Sequence, residues 1–245
     1  MEAEWTILPV LAVIFVATLV RSAFGFGEAL VAVPLLALFL PVEEAVPLAT
    51  LVSITVAGVV LAQDWHQVHA RSALRLVIST LFGVPVGLRL LTAVPETVVK
   101  AVLSVVIIGF SSYCLVNRRP HSLSDDRWAW LFGFGAGVLG GAYGMNGPPL
   151  VIYGSLRRWS PEQFRATLQG YFLPASLLGL GGYWLAGLWT PAVTRYYLWT
   201  LPPAAAAIIL GRALNRRMSG QSFIRYVHVG LLVVGAALLV QSTRR

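Results

Sequence analysis

Charge is what this chain is short of. Only 11% of its 245 residues are Asp, Glu, Lys or Arg, against about a quarter in an average soluble domain. With hydrophobic residues at 57%, that shortage excludes an ordinary water-soluble protein. Cysteine is nearly missing. Cys114 stands alone, so no intrachain disulfide is expected, and it reads as a small residue inside an apolar helix. Acidic residues are the scarcer sign, 10 against 18 Lys and Arg. The arginines gather at the ends of apolar runs, which reads as membrane topology and not as a nucleic-acid surface. Glu2 and Glu4 replace the basic segment of a cleaved leader, so the first apolar run is expected to remain as a span. No P-loop or hydrolase triad occurs. Gly25-Phe26-Gly27 lacks the third glycine and the β-α-β setting of a dinucleotide site. No cofactor is therefore expected. His66 and His69, three apart with Asp64 nearby, resemble metal ligands, but the loop holds no further Cys or Glu. It reads as a polar surface loop with no metal.

What the chain does have is apolar length. It suffices for eight to ten helical segments of about 20 residues, so the expected fold is all-α and polytopic. The first helix is expected over Ile7 to Val20, followed by a short apolar piece from Leu30 to Leu40. Spans follow at Ala45 to Ala62, Leu74 to Leu91 and Thr97 to Val116. The hydrophilic stretch 117–127 divides the chain into halves, 1–116 and 128–245. The second half repeats the order: Trp128 to Gly141, a short piece from Leu150 to Leu156, then Phe164 to Leu188, Thr194 to Leu214 and Ile224 to Val240. Ser160-Pro161-Glu162 suits a helix cap with proline in the first turn. Ala49-Thr50-Leu51 pairs with Ala166-Thr167-Leu168, and Gly87 pairs loosely with Gly211, as a duplication would give.

Each half holds an odd number of segments, which predicts two inverted repeats. Arg71 and Arg75, Arg118 and Arg119, Arg157 and Arg158, and Arg216 and Arg217 then fall in alternate loops, cytoplasmic by the positive-inside rule. Glu43, Glu44 and Glu96 fall outside with both termini. If the short pieces are re-entrant, the spans number eight. Trp5, Trp65, Trp128, Trp159, Trp184 and Trp189 lie near span ends, as an aromatic belt would.

The feature organising the chain is a glycine-rich break present once per half, at Gly25-Phe26-Gly27-Glu28 and at Gly144-Met145-Asn146-Gly147. Breaking a helix at membrane depth frees backbone groups, tolerated only in protein or beside a watery cavity. A matched pair of such breaks points to a transporter's binding site, with half-helix N-termini facing an anion. Candidate contacts are Ser22, Gly25, Gly27, Thr50, Ser53, Gly144, Asn146, Gly147, Thr167 and Gln169. Arg21 and Glu28 are the charged residues expected inside the membrane. They are expected to pair with each other, or to act separately as anion receiver and proton carrier.

These stretches resemble the TauE/SafE family of sulfite exporters. The likeness runs through Gly25-Phe26-Gly27-Glu28-Ala29-Leu30-Val31-Ala32-Val33-Pro34-Leu35-Leu36 and then Ala49-Thr50. In the second half it runs through Gly140-Gly141-Ala142-Tyr143-Gly144-Met145-Asn146-Gly147-Pro148-Pro149-Leu150 and then Phe164-Arg165-Ala166-Thr167. Many members have an unbroken glycine run where this chain has Phe26 and Glu28. The resemblance implies a cell-membrane permease for a small sulfur anion, such as sulfite or an organosulfonate, coupled to a proton or ion gradient. Its implied partners are that anion and the lipid bilayer. An intramembrane enzyme, a scaffold subunit and a carrier of a non-sulfur carboxylate are the competing readings. No second catalytic group at membrane depth stands beside Glu28, and a scaffold has no use for paired polar breaks.

Overall fold

The computed structural model describes residues 2–64, 70–116, 125–157 and 161–217, with Leu123, Trp159 and scattered positions between 229 and 240. His66 and His69, most of the stretch 117–127, most of the expected last span and the basic tail lie outside the described residues. Among the described residues the chain forms α-helices and no strands. They are α1 (Glu2–Phe24), α2 (Glu28–Leu36), α3 (Val42–Asp64), α4 (Ala70–Ala93), α5 (Glu96–Val116), α6 (Trp128–Tyr143), α7 (Gly147–Leu156), α8 (Pro161–Leu185) and α9 (Pro191–Arg217). Helices α8 and α9 each begin on a proline, whose missing N–H costs nothing in the first turn. Several helices run a turn past their expected ends. Asn215 to Arg217, expected as a loop, is the end of α9.

Among the described residues, four stretches are long and apolar enough to cross a membrane: Val42–Val59, Ser72–Ala93, Glu96–Tyr113 and Pro191–Leu214. Helix α1 adds a shorter one, Ile7–Ala23. The two short helices have 9 and 10 residues. They rise only about 14–15 Å, half the roughly 30 Å of a hydrocarbon core. Leu8, Leu74, Phe82, Leu131, Trp184, Leu185 and Ile209 all stand exposed. Such an apolar exterior is costly in water and costs nothing against lipid.

Packing crosses between the halves. Helix α4 lies along α6, α9 lies along α1, and α3 lies against α8. The α4–α6 seam is made of glycine. A Cβ added at Gly137 would sit 2.6 Å from the Thr80 carbonyl oxygen, and one at Gly133 would sit 2.6 Å from that of Leu76. Gly83, Gly87 and Gly141 are equally confined by backbone. Spacing the glycines by four puts them on one face, which lets helix backbones touch without a hydrophobic drive. Gly211 serves α9 in the same way, since a Cβ there would meet Ser22 Cβ at 2.5 Å.

Helices α6 and α7 form a hairpin. The Leu123 N–H, just before α6, donates to the Leu156 carbonyl at the end of α7, 2.8 Å away. Asp126 closes the same end. It accepts hydrogen bonds from Tyr153 (2.7 Å) and Ser72 (3.1 Å), and it pairs with Arg75 (3.3 Å) and Arg157 (3.4 Å). The chain thus enters α6 and leaves α7 at one face, shared with the start of α4.

Candidate functional site

The first break is built from two left-handed glycines, Gly25 (φ 83°) and Gly27 (φ 97°). A side chain at either position is strained. The Gly25 N–H still closes the end of α1 onto the Arg21 carbonyl. The Gly25 carbonyl, freed by the break, accepts from Gln169 Nε2 at 2.7 Å. The second break turns on Gly144 (φ 64°), whose N–H bonds to the Gly140 carbonyl. The Tyr183 hydroxyl donates to that same carbonyl. Helix α8 therefore supplies the groups that a broken backbone needs where water is excluded.

Between the breaks lies a buried ion pair. Arg21 is 3% exposed and Glu28 1%. Arg21 Nη1 donates to Glu28 Oε2 at 2.7 Å. It also donates to Ser53 Oγ, while Nη2 donates to Gln169 Oε1 at 3.1 Å. The second Glu28 oxygen accepts from Thr18 Oγ1 at 2.9 Å. The guanidinium lies 5.1 Å from the centre of the Phe172 ring, within cation–π range. Its Nε–H is buried with no partner among the described residues.

Both breaks open onto one cavity of about 30 Å³. Arg21, Gly27, Glu28 and Ser53 line it from the first half, and Gly144, Asn146 and Gly147 from the second. Phe26, Phe110, Met145 and Phe172 make its walls apolar. A water needs at least about 10–15 Å³ of such space, so the cavity fits a water or two and must widen to take a larger anion.

The other expected contacts stand behind this wall. Gln169 and Gly25 hold the first break together, as above. Thr50 donates to the Val46 carbonyl within its own helix, and its oxygen abuts Gly144. Thr167 is fully buried and does not line the cavity. Ser22 faces α9, and its hydroxyl has no partner among the described residues. Thr18, Phe172 and Ser176 belong to the site and were not expected there. Thr18 lies ten residues before Glu28, reachable only because the break folds α2 back onto α1. Gly140 of the second motif has a role the sequence did not show: a Cβ there would overlap Asn146 Oδ1 and stand 2.8 Å from its Cγ and 3.2 Å from its Nδ2. Asn146 keeps its place because position 140 has no side chain.

The Asp126 cluster lies outside this site. Burial acts to raise the Asp126 pKa. Hydrogen bonds from Tyr153 and Ser72, with the charges of Arg157 and Arg75, outweigh burial and leave it below its ordinary value of 3.8.

A helical membrane protein with paired breaks, open to one buried polar cavity, has the anatomy of a transport protein. The chain belongs to the TauE/SafE sulfite exporter family, whose model, "Sulfite exporter TauE/SafE", matches residues 10–238. It is 28% identical over 252 residues to the "Probable sulfite/organosulfonate exporter TauE" of Cupriavidus necator, covering 98% of this chain and 97% of that protein. No solved structure matches the chain. Membership of an exporter family makes it a transporter and not an enzyme.

Proposed function

We propose that this protein is a secondary permease of the cell membrane for a small sulfur-containing anion, such as sulfite or an organosulfonate, driven by a proton or ion gradient. The anion binds between the two glycine breaks, at Arg21, Ser53 and Asn146, with the N–H groups opening α2 and α7 around it. The observation that carries the reading is the meeting of both breaks at one buried cavity beside a guanidinium with a spare N–H. The printed name of the Cupriavidus relative supplies the sulfur chemistry. Residues 1–116 and 128–245 act as inverted repeats joined by 117–127. In support, α4 of one half clasps the broken helix α6 of the other, and α9 clasps α1. Rocking one clasped pair against the other would open the cavity to each side in turn.

Uptake by proteoliposomes of sulfite, thiosulfate, sulfoacetate, taurine and a plain carboxylate tests the proposal. The expected result is saturable uptake of one or more sulfur anions, impaired in Asn146→Ala at unchanged expression. Uptake of the carboxylate alone would refute the cargo, and full activity of Asn146→Ala would move the site.

A further inference from the structure

We propose that cargo and the Glu28 carboxylate take turns on the Arg21 guanidinium, so that each monoanion travels with one proton held by Glu28. This rests on the anion reading above. It adds the coupling residue, the stoichiometry and the charge of the cargo.

The basis is charge balance in a small buried site. Arg21 and Glu28 neutralise each other at 2.7 Å, with both side chains almost wholly buried. A monoanion entering beside them would leave one uncompensated negative charge among Phe26, Phe110, Met145 and Phe172. An unpaired buried charge is strongly disfavoured. Protonating Glu28 removes the excess. An O–H bond forms on Oε2, its contact with Arg21 Nη1 breaks, and the cargo oxygens accept the released N–H together with the unpartnered Nε–H. The sum is zero before and zero after.

Neighbours are in place for both states. Ser53 and Gln169 hold the guanidinium when Glu28 lets go. Thr18 donates to Oε1 at 2.9 Å, and it can keep doing so when the proton sits on Oε2, because Oε1 is then a carbonyl oxygen that still accepts.

No other titrating group among the described residues competes. Helix α3 presents Ser53 and Thr50, and α7 presents Pro148 after Asn146. On α5, Lys100 pairs with Glu96 at 3.1 Å. Tyr143 of α6 donates to the Val99 carbonyl. From α8, Tyr171 bonds to Thr80 and Tyr183 to the Gly140 carbonyl. On α9, Tyr197 bonds to Thr55, and Arg195 and Arg212 are exposed. With one acid to protonate, the site balances a singly charged sulfonate or hydrogensulfite and not a dianion.

The test uses the full chain in proteoliposomes with labelled methanesulfonate, whose charge does not vary with pH. Wild type is expected to accumulate it about tenfold for a one-unit inward proton gradient, with no response to an imposed voltage. Glu28→Gln mimics the protonated acid. The uptake it supports, at whatever rate, is expected to ignore the proton gradient and to follow an inside-positive potential of about 100 mV to roughly fiftyfold accumulation; uptake by this variant that still follows the proton gradient would overturn the assignment to Glu28. Wild-type uptake that follows voltage and ignores pH would overturn the exchange while leaving the permease reading intact. Absence of uptake of every sulfur anion by folded wild type would overturn both. Infrared difference spectra of wild type do not depend on the variant folding. Methanesulfonate should convert one carboxylate band to a protonated carboxyl band, and binding without that conversion overturns the proposal.

Discussion

Gly140→Ala isolates what a missing side chain does for the site. Carbon atoms in contact sit about 3.5–4.0 Å apart, whereas the new Cβ would stand 2.8 Å from Asn146 Cγ. The obstacle is a side-chain amide and not backbone, so it yields by about 1 Å. Stability should barely change. Alanine gains up to about 1 kcal/mol over glycine within a helix, and an off-rotamer amide costs roughly 0.5–1.5 kcal/mol. Transport should suffer far more, because a displacement of about 1 Å in a binding group can cost up to about 100-fold. The assay is methanesulfonate uptake by proteoliposomes at matched protein content, beside the thermal midpoint in detergent. The double variant Gly140→Ala/Asn146→Ala sharpens it. If the new methyl acts through Asn146, the double variant should transport no worse than Asn146→Ala alone. Wild-type uptake by Gly140→Ala, or a double variant much worse than Asn146→Ala, would refute the reasoning.

At the α4–α6 seam the obstacle is backbone. Gly137→Ala should lower stability by about 1–3 kcal/mol through overpacking, read from thermal unfolding. Gly58→Ala, with nothing within 4 Å of the new carbon, should instead raise it by up to about 1 kcal/mol. Arg21→Met should cost about 3–5 kcal/mol by stranding Glu28, and Arg21→Met/Glu28→Met should recover most of it; equal losses in both would argue against a tight pair. The depressed Asp126 pKa makes its contribution complete above the ordinary value of 3.8, fading as pH falls through the lower folded value. The thermal midpoint of wild type should therefore drop in that acid range. Asp126→Asn should flatten the drop and lower the midpoint at neutral pH.

Local signals were readable from the chain. Glycine flanked by apolar runs marked both breaks to within a residue or two, because left-handed φ has few other sources. Pro161 marked the start of α8 for the same local reason. The Arg21–Glu28 pair was among the arrangements expected of two charges seven residues apart across a turn. What was not readable depends on neighbours distant in sequence. That Ser53 and Gln169 also hold Arg21, from α3 and α8, was not legible in the sequence. The glycines at 133, 137 and 141 acquire meaning only beside Leu76, Thr80 and Val84. The Asp126 cluster draws on α4, the stretch before α6, and α7, and no short motif announces it.

The clasp of α9 on α1 has a consequence for synthesis. Helix α1 is made well before α9, its packing partner, so the face that Gly211 closes on stays uncovered while residues 25–190 are synthesised. Until residues 191–217 have left the ribosome, Ser22 and the turns around it must shelter against lipid or the insertion machinery. A chain cut short before that point would carry an intact first elbow with nothing at its back.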